Sequence, residues 1–154
     1  EISACLVGSE MCIRDRLYEE DLLMVVRHDH PLAGLERLHL EDLRPYVLIA
    51  SPQGTLVRTS VDNFLLSQNA GEGLQIFESL SETFSRVYVQ DHDAVWFVQR
   101  GVVDLDLRLG IVRALPFSSP LLRAPVGLTT PTDRPVSRAA EHFCQLLRSW
   151  ANGA

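Results

Sequence analysis

A chain of 154 residues, 46% hydrophobic and 22% charged, suits one soluble domain with a core of ordinary size. Its formal charge of −6, with Lys and Arg scattered along the chain, excludes a domain that holds nucleic acid on a basic face of its own. No apolar run approaches the ~20 residues of a membrane span, and cysteines at Cys5, Cys12 and Cys144 give neither a disulfide framework nor a CxxC metal pair, which fits a reducing cytoplasm.

Taken in chain order, the first stretch stands apart. Leu6 to Arg16, LVGSEMCIRDR, resembles the translation of a transposase sequencing adapter. Residues 1–16 lack the basic start and the apolar stretch of about 7–15 residues that a signal peptide needs. They are therefore expected to be a non-native segment, and the domain is expected to occupy residues 17–152.

Asp21–Arg27, DLLMVVR, has the β-branched apolar centre of a buried strand. A loop, HDHPLAG, follows from His28 to Gly34, then a short helical turn with Leu38, Leu40 and Leu43 on one face and Pro45 ending it. Tyr46–Ala50 is a second buried strand. The turn SPQGT leads into a helix that Thr55 can cap, with Val57, Val61, Phe64 and Leu65 as its apolar stripe and Asn69 and Gly71 as its stop.

Leu74–Phe77 is a third strand. The helix opening near Ser81 is expected to bury Phe84, Val87 and Tyr88. Ala94–Val98 is a fourth strand and leads into the run GVVDLDL. Gly110–Leu115 and Pro125–Thr130 read as two more strands, Pro131–Pro135 as a turn, and Val136–Ala151 as a closing helix with Ala139, Phe143, Leu146 and Leu147 on one face. Strands alternating with helices at this spacing predict an α/β fold with a mainly parallel sheet. No repeats or low-complexity segments are present.

Most chemical motifs have a plain structural reading. His28-Asp29-His30 suggests a metal cluster, but the Pro31 loop breaks the alternation and no third ligand group has zinc spacing. Solvated loop histidines are expected instead, with no metal and no cofactor. Asp91-His92-Asp93 reads as a polar turn, Cys144 as a small buried hydrophobe, and Trp96 and Phe97 as core. A GxSxG elbow, a GxGxxG loop and a Walker A loop are all missing, so no enzyme is expected.

The SPQGT turn is more informative. Backbone N–H groups at a helix N-terminus form an anion site, to which Thr55 adds a hydroxyl and Arg58, one turn in, a cation able to fork onto a carboxylate. Capping with a surface arginine remains the alternative. Ser81 to Thr83 opens a second helix of the same kind, and both lie where ligands gather in open α/β sheets, at the carboxyl ends of strands. The pair suits a small mono- or dicarboxylate.

The ordered set MVVRHDHPLAG, LEDLRPYVLIASPQGT, VYVQDHDAVWFVQRGVV, GIVRALPF and APVGLTT, ending in an amphipathic helix, resembles the effector-binding domain of LysR-type transcriptional regulators. SLSETFSRVYVQDHDAVWFVQRGVVDLDL and PVGLTT look most like the PcaQ-type regulators of protocatechuate catabolism. The resemblance implies a Rossmann-like, two-lobed fold of the periplasmic-binding-protein type II kind, incomplete here. About 21–117 would be the second lobe and about 121–150 the return to the first, with an apolar face left uncovered.

It also implies that a small aromatic-catabolism acid, of the protocatechuate or carboxymuconate class, binds at Gly54, Thr55, Arg58, Ser81 and Thr83. DNA would be bound only through an N-terminal winged helix-turn-helix lying upstream, in a cytoplasmic homodimer or homotetramer that does not contact membrane. Two rivals carry distinct requirements. A transporter's solute-binding protein of the same fold needs an export signal, and a small α/β enzyme needs a convergent nucleophile or acid–base set. Sequencing the source DNA several hundred bases upstream of Leu17 should reveal a frame running into a winged helix-turn-helix, whereas a signal peptide there would overturn the regulator reading.

Overall fold

Alternation along the apolar runs sets the architecture of the chain. In the computed structural model, which describes residues 11–70, 72–131 and 135–153, β1 spans Met11–Arg27, β2 Val47–Ala50, β3 Gln75–Glu78, β4 Ala94–Gln99, β5 Val112–Ala114 and β6 Arg123–Pro131. Helices α1 (Leu56–Ser67), α2 (Glu82–Asp91) and α3 (Arg100–Arg108) connect β2 to β5, and α4 (Arg138–Gly153) closes the chain. Short 3-10 turns occupy Leu40–Leu43 and Pro120–Leu122.

The strands form one sheet in the order β3-β2-β4-β1-β5, with β6 paired to β1. β2 is parallel to β3 and β4. β1 runs antiparallel to both β4 and β5, so among β1 to β5 it alone is reversed. Each of β2→β3, β3→β4 and β4→β5 has a crossover helix, as successive strands running the same way in one sheet require. β1 is joined to β2 through a loop and a single 3-10 turn.

Period-two alternation divides the strands between two cores. Met24, Val26, Leu48, Val95 and Phe97 face one way, against Val61, Phe64 and Leu65 of α1. Val25, Ile49, Trp96 and Val98 face the other, against Val89 of α2 and Val103 of α3. Both faces of the sheet are thus covered, which explains the near-continuous apolar strands.

Helix α1 buries the stripe expected of it. Its end is a Schellman turn: Asn69 adopts φ 51, its N–H donates to Leu66 O at 3.0 Å, and the Ala70 N–H donates to Leu65 O at 3.0 Å. Residue 71, also expected to stop the helix, lies outside the described residues.

Helix α2 departs from expectation. It buries Ser85 and Val89, whereas Phe84 and Val87 are exposed and Tyr88 is half-buried. A serine in the buried stripe conceals its helical period, and β3 is an edge strand whose Phe77 gathers Phe84 and Tyr88 at the surface, with ring centroids 5.5 and 6.1 Å away.

Helix α4 is likewise rotated from the expected face. Ala140, Cys144, Leu147 and Ala151 are half-buried, while Ala139, Phe143, Leu146 and Trp150 are exposed. Of the expected face only Leu147 turns inward, and Phe143 and Leu146, with Trp150, form the open side of this helix. Cys144, expected to be buried, is only partly so.

Other differences concern boundaries and loops. β1 begins at Met11 rather than near Asp21, and β6 pairs with it. Residues 1–10 of the segment set aside as non-native lie outside the described residues, and residues 11–16 belong to this strand. Residues 132–134 of the expected Pro-rich turn are also outside them. His28 is a solvated loop histidine, but His30 is buried, because its ring nitrogen is used to fold the loop.

Two compact units are present: Glu20–Ala124, and a second made of the chain ends Glu1–Glu19 and Pro125–Ala154. Within the first, Glu20 Oε1 accepts the Gly101 N–H at 2.6 Å and so caps α3, whose Gln99 N-cap side chain makes no such bond. Phe64 is fully buried and Leu66 is 70% exposed on the same helix. Phe64→Ala should therefore cost about 3–5 kcal/mol in denaturant unfolding, and Leu66→Ala within about 0.5 kcal/mol of nothing.

Candidate binding site

Three parallel strands, β2, β3 and β4, end at Ala50, Glu78 and Gln99, and the residues just beyond or at those ends are polar: Ser51, Ser79 and Gln99. They line a cavity of about 230 Å³ together with Thr55, Glu82 and Ser85, over a wall formed by Trp96 and Phe97. The cavity lies wholly within the Glu20–Ala124 unit.

The SPQGT turn builds one side. Gly54 takes φ 85, a left-handed conformation that a glycine adopts without strain. The Thr55 N–H and hydroxyl both donate to Pro52 O, at 3.3 and 2.9 Å. Thr55 Oγ1 in turn accepts the Arg58 N–H at 3.2 Å, capping α1. The second side begins where the Ser79 N–H donates to Ala50 O at 3.0 Å, tying the end of β3 to that of β2. Ser79 Oγ accepts the Ser81 N–H at 3.1 Å, and Ser81 Oγ caps α2 by accepting the Phe84 N–H at 3.2 Å. Two helix N-termini thus flank one cavity, each contributing partial positive charge.

Of the residues expected at the site, Thr55 alone lines this cavity. Gly54 shapes the turn, Ser81 caps α2, and Thr83 is exposed in the first turn of that helix. Arg58 differs most from expectation. It is only 6% exposed, and its guanidinium forks onto the protein's own carboxylates: Nε donates to Asp62 Oδ1 at 2.7 Å and Nη1 to Glu78 Oε1 at 2.5 Å. Nη1 also reaches Ser51 O at 3.3 Å. Burial works against its charge, but the hydrogen bonds it donates to Asp62 and Glu78 together outweigh burial and leave its pKa raised. Arg58 therefore holds Ser51 and the end of β3 in place beneath the cavity.

Ser51, Ser79, Ser85 and Gln99 escaped the sequence reading. Ser51, Ser79 and Gln99 had a usable signal, since each sits at the carboxyl end of a recognisable strand. Ser85 had none, because its burial depends on the rotation of α2. A larger concavity of about 530 Å³ lies between Asp21, Arg100, Phe117 and Arg123, but Arg123 is engaged there by Asp21 at 3.2 Å. Among the described residues no group of three or more His, Cys, Asp or Glu side chains could hold a metal ion, and no helix is long and apolar enough to cross a membrane.

The family described as LysR substrate binding domain matches residues 9–152. The chain is 30% identical over 138 residues to the HTH-type transcriptional regulator PcaQ of Agrobacterium fabrum, covering 89% of this chain and 44% of that protein. It is 34% identical over 131 residues to the uncharacterized HTH-type transcriptional regulator YdcI of Escherichia coli, covering 85% of this chain and 41% of that one. The chain thus spans less than half the length of these relatives. Among solved structures, the effector-binding domain of QuiR in complex with shikimate superposes with a TM-score of 0.76 at 18% identity, covering 98% of this chain and 70% of the other. That likeness establishes the Rossmann-like, periplasmic-binding-protein type II fold.

Arg58→Ala should strand two carboxylates. Because Asp62 and Glu78 side chains are each 41% exposed, water recovers part of the loss, and the expected cost is about 1–3 kcal/mol in urea unfolding. Asp62→Asn, which leaves Glu78 on Arg58, should cost less.

Proposed function

Because this chain belongs to the LysR substrate-binding domain family, a family of transcriptional regulators rather than enzymes, we propose that it senses a small carboxylate at the cavity between the first turns of α1 and α2. The observation that carries this reading is the lining itself. Ser51, Thr55, Ser79, Ser85 and Gln99 line the cavity, beside the carboxylate of Glu82, and two helix N-termini add partial positive charge. Arg58 is already committed to Asp62 and Glu78, so recognition of the acid would rest on neutral donors, with the Thr55 hydroxyl turning from Pro52 O to the ligand. Trp96 and Phe97 supply an apolar wall for a ring or hydrocarbon backbone.

The finer assignment is an acid of the protocatechuate or carboxymuconate class. The 30% identity to PcaQ supports it, as does the fact that shikimate, bound by the structurally similar QuiR, is a cyclic carboxylic acid. Gly54, Ser81 and Thr83 act in this reading through the shape and capping of the two turns. Residues 17–152 are the regulator's sensing part, with about 21–117 and about 121–150 belonging to different lobes. DNA is held by a winged helix-turn-helix outside the 154 residues, in a cytoplasmic homodimer or homotetramer. The acid acts by binding one lobe arrangement better than another, with a coupling of about 1–3 kcal/mol.

Thr55→Val in the whole regulator removes one hydroxyl while keeping the side chain's volume. It should weaken binding of the effector about tenfold, the scale of one lost hydrogen bond, while affinity for operator DNA stays unchanged. Equal effector titrations for Thr55→Val and the unchanged regulator would remove the cavity from consideration.

A further inference from the structure

The loop that leaves β1 buries a histidine with half of its polar capacity unused. His30 is 3% exposed. Its Nδ1 accepts the Leu32 N–H at 3.0 Å, so the ring's proton resides on Nε2, and Nε2 is buried without a hydrogen-bond partner among the described residues. An acceptor on one side chain taking the N–H two residues on is the geometry of an Asx turn, here with an imidazole nitrogen in place of an amide oxygen. Two backbone bonds frame it: the His30 N–H donates to Arg27 O at 3.2 Å and the Ala33 N–H to His30 O at 2.9 Å. Leu32, fixed by these bonds, packs into the core with Leu38 and Leu43.

We propose that His30 is a proton-operated latch, which folds the His28–Gly34 loop through its neutral Nδ1 and releases it when that nitrogen is protonated. Protonation would set the Leu32 N–H against a second N–H and place a charge where the Nε2 N–H already lacks an acceptor, and an unmet buried donor costs far more than an exposed one.

The groups around the ring are mixed in sign. Arg27, at the end of β1, donates to Asp93 from Nε at 3.1 Å and Nη2 at 2.7 Å and also pairs with Asp29. The Tyr46 ring lies 4.6 Å from the imidazole, tilted by 57°. Burial holds the His30 pKa below its ordinary value, Asp93 and Asp29 oppose this, and Arg27 reinforces it. The unfolded chain takes up a proton near pH 6.5, the folded one only at lower pH. Below about 6.5 the unfolded state therefore binds more protons, and stability falls as the pH drops toward the folded value.

The test compares urea unfolding midpoints of the 154-residue chain at about pH 7.5 and about pH 5.5, for the unchanged chain, His30→Asn and His28→Asn. Asn can keep the turn with its Oδ1 and does not titrate in this range. The expected result is a midpoint that drops on acidification in the unchanged chain and in His28→Asn, and a drop largely abolished in His30→Asn. An equal drop in His30→Asn overturns the latch. Should His30→Asn fail to fold, an NMR titration of the unchanged chain decides. A His30 ring titrating below its ordinary value, with the Leu32 amide shifting at the same midpoint, supports the latch. A ring titrating at or above that value, or a Leu32 amide that does not follow it, overturns it.

Discussion

Everything in the Glu20–Ala124 unit is arranged around the burial of both faces of β4. Its neighbours are β2 on one side and β1 on the other, and its five residues Ala94 to Val98 are all buried. With no solvated face available, both helical layers must close over the strand. The polar groups of the connecting turns are then displaced to its ends, where backbone N–H and C=O groups can find partners or water. The cavity at the carboxyl end is a product of this constraint: β4 stops at Gln99, β2 and β3 stop at Ala50 and Glu78, and the turns into α1 and α2 have to open there.

Arg58 shows what that arrangement requires. A cation so near a cavity could form a strong charge-assisted bond with an entering anion, yet here it is spent on the scaffold. By holding Asp62 within its own helix and Glu78 at the end of β3, it locks two turns in register. The cavity lining is left to Ser51, Thr55, Ser79, Ser85 and Gln99, beside Glu82. Under the proposed sensing role such a site would gain less energy per contact than an exposed arginine supplies, but turns held in register before anything binds would lower the ordering cost of association.

Strands and the first helix were readable from the sequence because their burial is decided locally. Val61, Phe64 and Leu65 recur at helical spacing and end in an Asn69 turn, while Met24 and Val25 alternate across a sheet. The errors arose where neighbours decide. Ser85 interrupts the apolar period of α2, so the exposed Phe84 and Val87 looked like its core face. In α4 the larger side chains, Phe143 and Leu146, outweighed Ala140 and Cys144 in the pattern, though the smaller ones turn inward. That Thr55 caps α1 was readable from turn chemistry alone. The fate of Arg58 was not, because Glu78 lies twenty residues away along the chain and only the pairing of β2 with β3 brings it near.

The chain's two tryptophans fall in opposite surroundings. Trp96 is 5% exposed on β4, and Trp150 is 60% exposed on α4, where Tyr18 meets it edge-on at 6.2 Å. Each compact unit thus carries its own intrinsic fluorophore. The first sits in an apolar medium that favours blue-shifted emission and shields it from aqueous quenchers, and the second is open to them. Iodide should darken one and spare the other, so that a single optical experiment can follow the loosening of each unit separately.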